Sequence, residues 1–266
     1  MPEDAYETIG VERRGGELRV TLDRPESMNA WNIQFGQDLK AVLDQAAGDD
    51  SVRAVILTGS GRAFSSGADL RQGFDMTEAG HPDVGTPLRD LYHPLITQVR
   101  TMPKPVLAAV NGPAVGIGCS LALAADLIVA RESAYFLIAF VNIGLVPDGG
   151  SSMLLPERVG MARAAEMAML GERIPARQAL EWGLINRVTD DEGFEAEVDA
   201  LAAKLATGPT KAYAGIKRQF NAWMFARMEE QFELETQLQE QAAASGDFVA
   251  GVTGFLQKKP PEFTGA

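Results

Sequence analysis

One carboxylate stands out in the segment FVNIGLVPDGG (140–150), which is apolar until it reaches Asp148. Pro147 precedes this residue and two glycines follow it. Such a carboxylate is either a turn residue or a base, since apolar surroundings raise the pKa of a carboxyl group and strengthen it as a base. The spacing alone favours the turn, with Asp148 capping a helix that begins near Ser151.

Two other segments could bind a negative charge, AVILTGSGRAFSSGADL (54–70) and PVLAAVNGPAVGIGCSLALAADL (105–127). Each runs from a strand-like stretch through a loop of small residues into the start of a helix, where backbone N–H groups can approach a ligand. Neither contains the Walker pattern, and Gly112, Gly116 and Gly118 do not have the dinucleotide spacing. One such loop is explained by a tight turn. Two loops from separate strands predict an oxyanion hole, with one N–H from each.

Alternating strand-like and helix-like stretches must position these loops. A helical pattern covers residues 33–47, and short β-branched runs closed by glycine are typical of buried parallel strands. This alternation predicts an α/β fold with a mostly parallel sheet. The predicted strands are 17–22, 52–59, 105–112, 126–130 and 134–140.

The strand signal stops near Glu192. Three stretches with apolar residues at helical spacing follow, at 194–207, 209–226 and 228–245. We therefore predict a core of residues 1–191 and a helical region of residues 192–266 that serves as a lid or in assembly.

Composition excludes some partners. The net charge is −12, whereas nucleic-acid binding needs clustered Lys and Arg. The apolar stretches are too short for a membrane span. The single cysteine, Cys119, cannot form an internal disulfide and is expected to be a buried structural thiol. We expect a cytoplasmic protein with no nucleic-acid or membrane partner.

Four segments together resemble the crotonase (enoyl-CoA hydratase/isomerase) superfamily: RPESMNAW (24–31), FSSGADL (64–70), KPVLAAVNGPAVGIG (104–118) and GFLQKKPPEF (254–263). The resemblance covers nearly the whole chain. It implies a repeated ββα spiral core with a C-terminal helical trimerisation region, and assembly as a homotrimer or hexamer. It also implies an acyl-CoA thioester substrate, with coenzyme A as part of that substrate, no separate cofactor and no metal.

The resemblance also assigns roles to particular residues. The oxyanion donors fall on the N–H groups of Ala68 and Ile117, where Ile117 replaces the glycine that is usual in the family. The positions that would bind the coenzyme or line its site, besides those two donors, are Arg24, Asp69, Leu70, Arg71, Phe255 and Lys258.

Two glutamates that the hydratases of the family use are replaced in this sequence, and their replacement indicates the reaction. The hydratases of the family use two glutamates, and this sequence has Ser120 and Phe140 at their positions. Asp148 matches the position where isomerases of the family carry their single acidic base. The segment around it is similar to the branch that contains the ring-opening epoxyphenylacetyl-CoA isomerase of phenylacetate breakdown. We therefore expect Asp148 to be the base of an isomerase, with an enoyl-CoA hydratase as an alternative.

His93 supports a further alternative. It stands at the entrance of a predicted helix, in LYHPLITQV (91–99), where it could be a plain structural residue. In the resemblance, His93 and Asp148 align with the His and nucleophilic Asp of 4-chlorobenzoyl-CoA dehalogenase, although that enzyme has Trp at the position of Phe140. A non-catalytic acyl-CoA binder is the remaining alternative.

Overall fold

The computed structural model describes residues 6–266. Its strands are β1 (Ile9–Arg14), β2 (Glu17–Leu22), β3 (Ala54–Gly59), β4 (Val106–Val110), β5 (Ala114–Val115), β6 (Leu127–Arg131), β7 (Tyr135–Leu137), β8 (Ile174–Pro175) and β9 (Arg187–Thr189). The larger sheet has six strands in the order β1-β2-β3-β4-β6-β9, and a second sheet has three strands in the order β5-β7-β8.

Ten helices surround the sheets in residues 6–266. They are α1 (Ile33–Gly48), α2 (Gly85–Pro87), α3 (His93–Thr101), α4 (Ile117–Ala124), α5 (Ser151–Leu170), α6 (Ala176–Glu181), α7 (Phe194–Thr207), α8 (Thr210–Met224), α9 (Met228–Ala243) and α10 (Gly246–Gln257). A five-residue π-helical segment, Leu88–Tyr92, joins α2 to α3.

The large sheet is parallel except for the β1–β2 hairpin. All five residues of β4 are buried, as expected for a strand covered by helices on both faces. Side chains such as Val55 and Leu57 pack with α1, while Ile56 and Leu107 pack with α7 on the opposite face. The predicted α/β class and mostly parallel sheet are confirmed.

The chain repeats one unit. A strand of the large sheet (β4), a strand of the small sheet (β5) and a helix (α4) follow one another, and then β6, β7 and α5 do the same. Strands β3 and β4 are parallel neighbours, so the loops that follow them leave the large sheet at the same edge.

One strand prediction is wrong at its end. Residues 134–140 were expected to form a strand, but β7 stops at Leu137 and residues Phe140–Ile143 form a 3-10 turn. Gly144 ends that turn at a φ of 72°, and a Cβ there would lie 2.9 Å from the backbone of Asp247. Helix α10 therefore lies directly against this turn, and the chain continues from it to Asp148.

Four helices, α7 to α10, follow the strands, one more than the three predicted from spacing. The additional helix is α10, whose first turn is capped by Ser245 through a hydrogen bond from the N–H of Phe248. The division of the chain at residue 191 stays a prediction. No helix within residues 6–266 has the length and apolar character needed to cross a membrane.

Candidate active site

The two small-residue loops lie against each other. The N–H of Val115 donates to the carbonyl of Ser65 at 2.9 Å, which joins the loops like neighbouring strands. Gly67 has a φ of 90°, and a Cβ there would lie 3.0 Å from the carbonyl oxygen of Val115. Gly116 also has a positive φ, of 53°. Glycine is therefore required for this close approach of the two backbones.

Two backbone donors remain free where the loops meet. The N–H of Ala68 and the N–H of Ile117 have no hydrogen-bond acceptor within residues 6–266. Ile117 is the first residue of α4, so its N–H has no partner inside the helix. The N–H of Trp31 donates to Gly67 and that of Asp69 to Trp31, which holds the loop on both sides of Ala68. The loops can therefore offer two N–H groups to one oxygen.

The turn that carries Asp148 packs on the first turn of α4. A Cβ at Gly149 would lie 2.3 Å from Cδ1 of Ile117 and 3.0 Å from Cβ of Ser120. The hydroxyl of Ser120 donates to the carbonyl of Asp148 at 2.9 Å, and the hydroxyl of Ser151 donates to the same carbonyl at 2.7 Å. These contacts hold Asp148 beside the helix whose first N–H is free.

The carboxyl group of Asp148 is buried, with only 8% of the residue exposed. Its Oδ2 accepts from Nε2 of Gln239 at 2.6 Å, while its Oδ1 has no hydrogen-bond partner within residues 6–266. Burial, and secondly the negative charge of Glu235, raise the pKa of Asp148 well above its ordinary value, against the opposing effect of the Gln239 hydrogen bond. A buried carboxyl oxygen without a partner is available to take a proton from a bound molecule.

The two hydratase positions supply no acid or base. Ser120 is fully buried and donates to the backbone of Asp148, so it fixes the turn. Phe140 is buried with its ring edge 4.0 Å from where a Cβ at Gly116 would lie. The aromatic ring therefore occupies the space beside the second loop.

His93 is buried near this site, but within residues 6–266 it forms no hydrogen bond or ion pair with Asp148. Its Nε2 lies 3.2 Å from Oε2 of Glu235, and its ring stacks on Phe232 with centroids 4.2 Å apart. It also lines an outer cleft between α3 and α9 together with Pro94 and Thr236. The imidazole is thus directed at a second carboxylate.

Glu235 and Gln239 are the site residues that sequence reasoning missed. Both are buried on α9, and Thr236 is buried beside them. The available signal is their spacing, because residues four apart share one face of a helix, here the face that also carries the buried Phe232. A carboxylate and an amide on the buried face of a helix indicate a polar partner inside the protein.

The predicted coenzyme-binding residues fall in two groups. Arg24 donates from its guanidinium to Asp69 at 3.1 Å and to the carbonyl of Ala30, so it braces the loop after Ala68. Leu70 and Arg71 begin a short 3-10 turn that follows directly.

The second group, Phe255 and Lys258, lies at the exposed end of α10. That helix packs on the 140–143 turn through Gly251, where a Cβ would lie 2.5 Å from Cα of Ile143. A coenzyme contact for either group stays a prediction. Within residues 6–266 no three His, Cys, Asp or Glu side chains are grouped to hold a metal ion.

Comparisons with known proteins agree over nearly the full chain. The family model described as enoyl-CoA hydratase/isomerase matches residues 12–266. A probable enoyl-CoA hydratase of Rhodobacter capsulatus is 47% identical over 261 residues, which cover 98% of this chain and 99% of that protein.

The 1,2-epoxyphenylacetyl-CoA isomerase of Escherichia coli is 41% identical over 250 residues, 94% of this chain and 95% of that protein. The crystal structure of an enoyl-CoA hydratase from Mycobacterium avium subsp. paratuberculosis superposes with a TM-score of 0.88 at 37% identity, covering 97% of this chain and 99% of that one.

Proposed function

The chain belongs to the enoyl-CoA hydratase/isomerase family, and we propose that it is an acyl-CoA isomerase in which Asp148 is the single acid–base group. Membership of the family carries the crotonase-like fold and coenzyme A thioesters as the substrate class. The finer assignment, isomerase, rests on the geometry of Asp148.

The observation that carries the proposal is the difference in hydrogen bonding between two buried carboxylates, Asp148 and Glu235. Oδ1 of Asp148 has no partner within the described part of the chain, so it is free to act on a substrate. Both oxygens of Glu235 already accept hydrogen bonds, from Gly150, Ser152 and His93. One free carboxylate suits a reaction that removes a proton at one carbon and returns it at another.

The proposed reaction has three steps. The thioester carbonyl accepts hydrogen bonds from the N–H groups of Ala68 and Ile117. Asp148 then takes a proton from C2 of a 3-enoyl-CoA, and the negative charge moves onto the carbonyl oxygen, where each N–H donor contributes about 3 kcal/mol of transition-state stabilisation. The protonated Asp148 finally returns the proton to C4, which gives the conjugated 2-enoyl-CoA. No cofactor takes part beyond the coenzyme in the substrate.

The raised pKa of Asp148 suits both the removal of the proton from C2 and its return to C4. A base whose pKa lies above that of an ordinary carboxylate removes a carbon-bound proton more readily and, once protonated, can return it. The same carboxylate and oxyanion hole could also rearrange a dihydroaromatic or epoxide ring, and the name of the E. coli relative supports that substrate class.

Hydration is the second candidate because the R. capsulatus relative is named a probable enoyl-CoA hydratase. Adding water needs one group to activate the water and another to deliver a proton. Ser120 and Phe140 occupy the positions of the family's two glutamates, and the hydroxyl of Ser120 is used by the backbone of Asp148. This observation favours the isomerase.

The dehalogenase alternative requires a histidine that activates water at an Asp148 ester. His93 is hydrogen-bonded to Glu235, and Asp148 is hydrogen-bonded to Gln239. The imidazole thus serves a different carboxylate. This arrangement also favours the isomerase.

We also propose the assembly and location that the family resemblance implies, a cytoplasmic homotrimer or hexamer. Exposed apolar side chains on α8 support the assembly, since Trp223 is 87% exposed and Phe220 is 56% exposed. A surface of this kind marks a protein contact.

The test compares wild type with Asp148→Asn on three substrates: a 3-enoyl-CoA, a 2-enoyl-CoA and a halobenzoyl-CoA. We expect isomerisation of the first with no net uptake of water, and its loss by about a hundredfold or more in the variant, the usual contribution of a general base. Asp148→Glu should retain part of the rate. Rapid Asp148-dependent hydration without isomerisation would make the protein a hydratase, and halide release would make it a dehalogenase. No turnover with retained thioester binding would make it an acyl-CoA binder.

A further inference from the structure

Glu235 is a second buried carboxylate behind the proposed base. It lies on α9 with 2% of the residue exposed, and α9 packs against α5. A charged carboxylate is rarely buried without hydrogen-bond or ionic partners, so the groups that contact Glu235 indicate its role.

The negative charge of Glu235 is held by four donors. Its Oε2 accepts from the N–H of Gly150 at 2.9 Å and lies 3.2 Å from Nε2 of His93. Its Oε1 accepts from the N–H of Ser152 at 3.2 Å and from the Ser152 hydroxyl. Three of these donors belong to the N-terminus of α5, where the dipole of the helical stretch from Ser151 to the kink at Gly160 favours a negative charge.

The same helix end carries the proposed base. Asp148 stands two residues before Gly150, and Gln239, one turn after Glu235 on α9, donates to Oδ2 of Asp148 at 2.6 Å. One face of α9 therefore presents a repelling charge and a hydrogen-bond donor to the same carboxylate. We propose that Glu235 is a positioning residue that acts through Asp148: its fixed negative charge makes Asp148 a stronger base, and His93 and the start of α5 hold that charge in place. This inference rests on the proposed function of Asp148.

The other groups around Asp148 do not neutralise the pair. Burial, and secondly the negative charge of Asp148, raise the pKa of the phenol of Tyr92 in the π-helical segment. His93, from α3, is hydrogen-bonded to Glu235. The helix α4 presents Ser120, and the half-buried Asp247 of α10 accepts from the N–H of Thr264.

Within residues 6–266, Asp148 forms no ion pair with Lys, Arg or His. Two like charges in a buried site raise the pKa of the one that is less well solvated. Glu235 has four donors and Asp148 has one, so the effect falls on Asp148, in agreement with the upward shift of its pKa that the Glu235 charge adds to burial.

A purely structural role for Glu235, as the cap of α5, predicts a different result in a pH profile. Loss of a cap lowers the rate at every pH because the turn at Asp148 loosens, but leaves the titration of the base where it was. Loss of a charge moves the titration itself. The acid limb of kcat/KM, which reports the base in the free enzyme, separates the two roles.

The experiment measures kcat/KM and kcat for 3-enoyl-CoA isomerisation against pH in the full-length protein. Glu235→Gln and Glu235→Met remove the charge, and Glu235→Asp keeps it. In Glu235→Gln the amide nitrogen faces a backbone N–H, of Gly150 or of Ser152, that cannot reverse its direction. Glu235→Met, which has no N–H donor at this position, therefore provides a second charge-free variant. Glu233→Gln is the matched control, since Glu233 lies on the same helix, is exposed and pairs with Arg89 at the surface.

We expect the acid limb to move to lower pH by about one unit or more in both charge-free variants, as for other carboxylates freed from a close like charge. Glu235→Asp should move it by less, Glu233→Gln should leave it in place, and KM should change less than kcat. A limb that stays in place in Glu235→Gln or Glu235→Met, or moves to higher pH, would overturn the inference. Failure of the proposed function is a separate result, because it appears as full turnover in Asp148→Asn.

Discussion

The contact between Gly149 and the start of α4 provides a sharp test of the site geometry. Gly149 has a φ of 61°, and an added Cβ would lie 2.3 Å from Cδ1 of Ile117 and 3.0 Å from Cβ of Ser120. The variant Gly149→Ala therefore forces the turn away from α4. A left-handed backbone costs about 1–2 kcal/mol for an L residue, before the overlap is counted.

The effect on activity follows from the displacement of Asp148. Relief of the overlap moves the turn by on the order of 1 Å, and a displacement of that size can cost roughly a hundredfold in rate. Gly15→Ala is the matched control, because Gly15 has a φ of 60° with nothing within 4 Å of its would-be Cβ. The control should lower the Tm, by roughly 2–4 °C for each kcal/mol lost, and leave kcat/KM unchanged.

A rescue variant adds a second check. Ile117→Val removes Cδ1, the nearest atom, and keeps the N–H that the oxyanion hole needs. In Gly149→Ala with Ile117→Val, part of the lost isomerisation rate should return, followed by the absorbance of the conjugated product. If Gly149→Ala loses no more activity than Gly15→Ala, Asp148 is not held against α4 in the way described.

Three further predictions concern the oxyanion hole, the assembly and the pH dependence of stability. Ala68→Pro or Ile117→Pro removes one donor and, in a variant whose circular dichroism shows a native fold, should lower kcat by about a hundredfold or more; near-normal turnover would place the carbonyl elsewhere. Light scattering at micromolar concentration should give a trimer or hexamer, which Trp223→Glu weakens, whereas a monomeric wild type would remove this prediction. The pKa of Asp148 is higher in the folded protein than in the unfolded chain. Between these two pKa values the folded protein binds more protons than the unfolded chain, so the free energy of unfolding falls as the pH rises through this range. Asp148→Asn should therefore be at least as stable as wild type at about pH 8, measured by denaturant unfolding, and a clear loss of stability there would contradict the cost of the buried charge.

Much of the fold could be predicted from local patterns. The strand at 17–22 has the bounds that its alternation indicated, because every second residue of β2 is buried. The run of 134–140 is apolar throughout but leaves the sheet after Leu137, and the 3-10 turn that follows it packs against α10 at Gly144. That contact joins segments about a hundred residues apart, so no local pattern contains it.

Local sequence patterns likewise predict one part of the candidate site and not the other. The loops at Ala68 and Ile117 were found because small residues must follow one another in sequence to let two backbones approach. Glu235 could not be placed from the sequence, because its four donors come from α5 and from the start of α3, 83 to 142 residues away. His93 lies at the entrance of α3 as its sequence position indicates, but its hydrogen-bond partner is Glu235, 142 residues away, and its role stays a prediction.

The central claim is that one buried carboxylate carries the proton between two carbons, and transfer of an isotope label tests it most directly. A 3-enoyl-CoA deuterated at C2 is converted in ordinary water, and early product is examined by mass spectrometry and NMR. Because Asp148 is only 8% exposed, we predict that a measurable fraction of the label appears at C4 of the product, and that Asp148→Asn abolishes this transfer. A C4 hydrogen derived wholly from solvent from the first turnovers, or label transfer that persists without the carboxylate, would contradict the account.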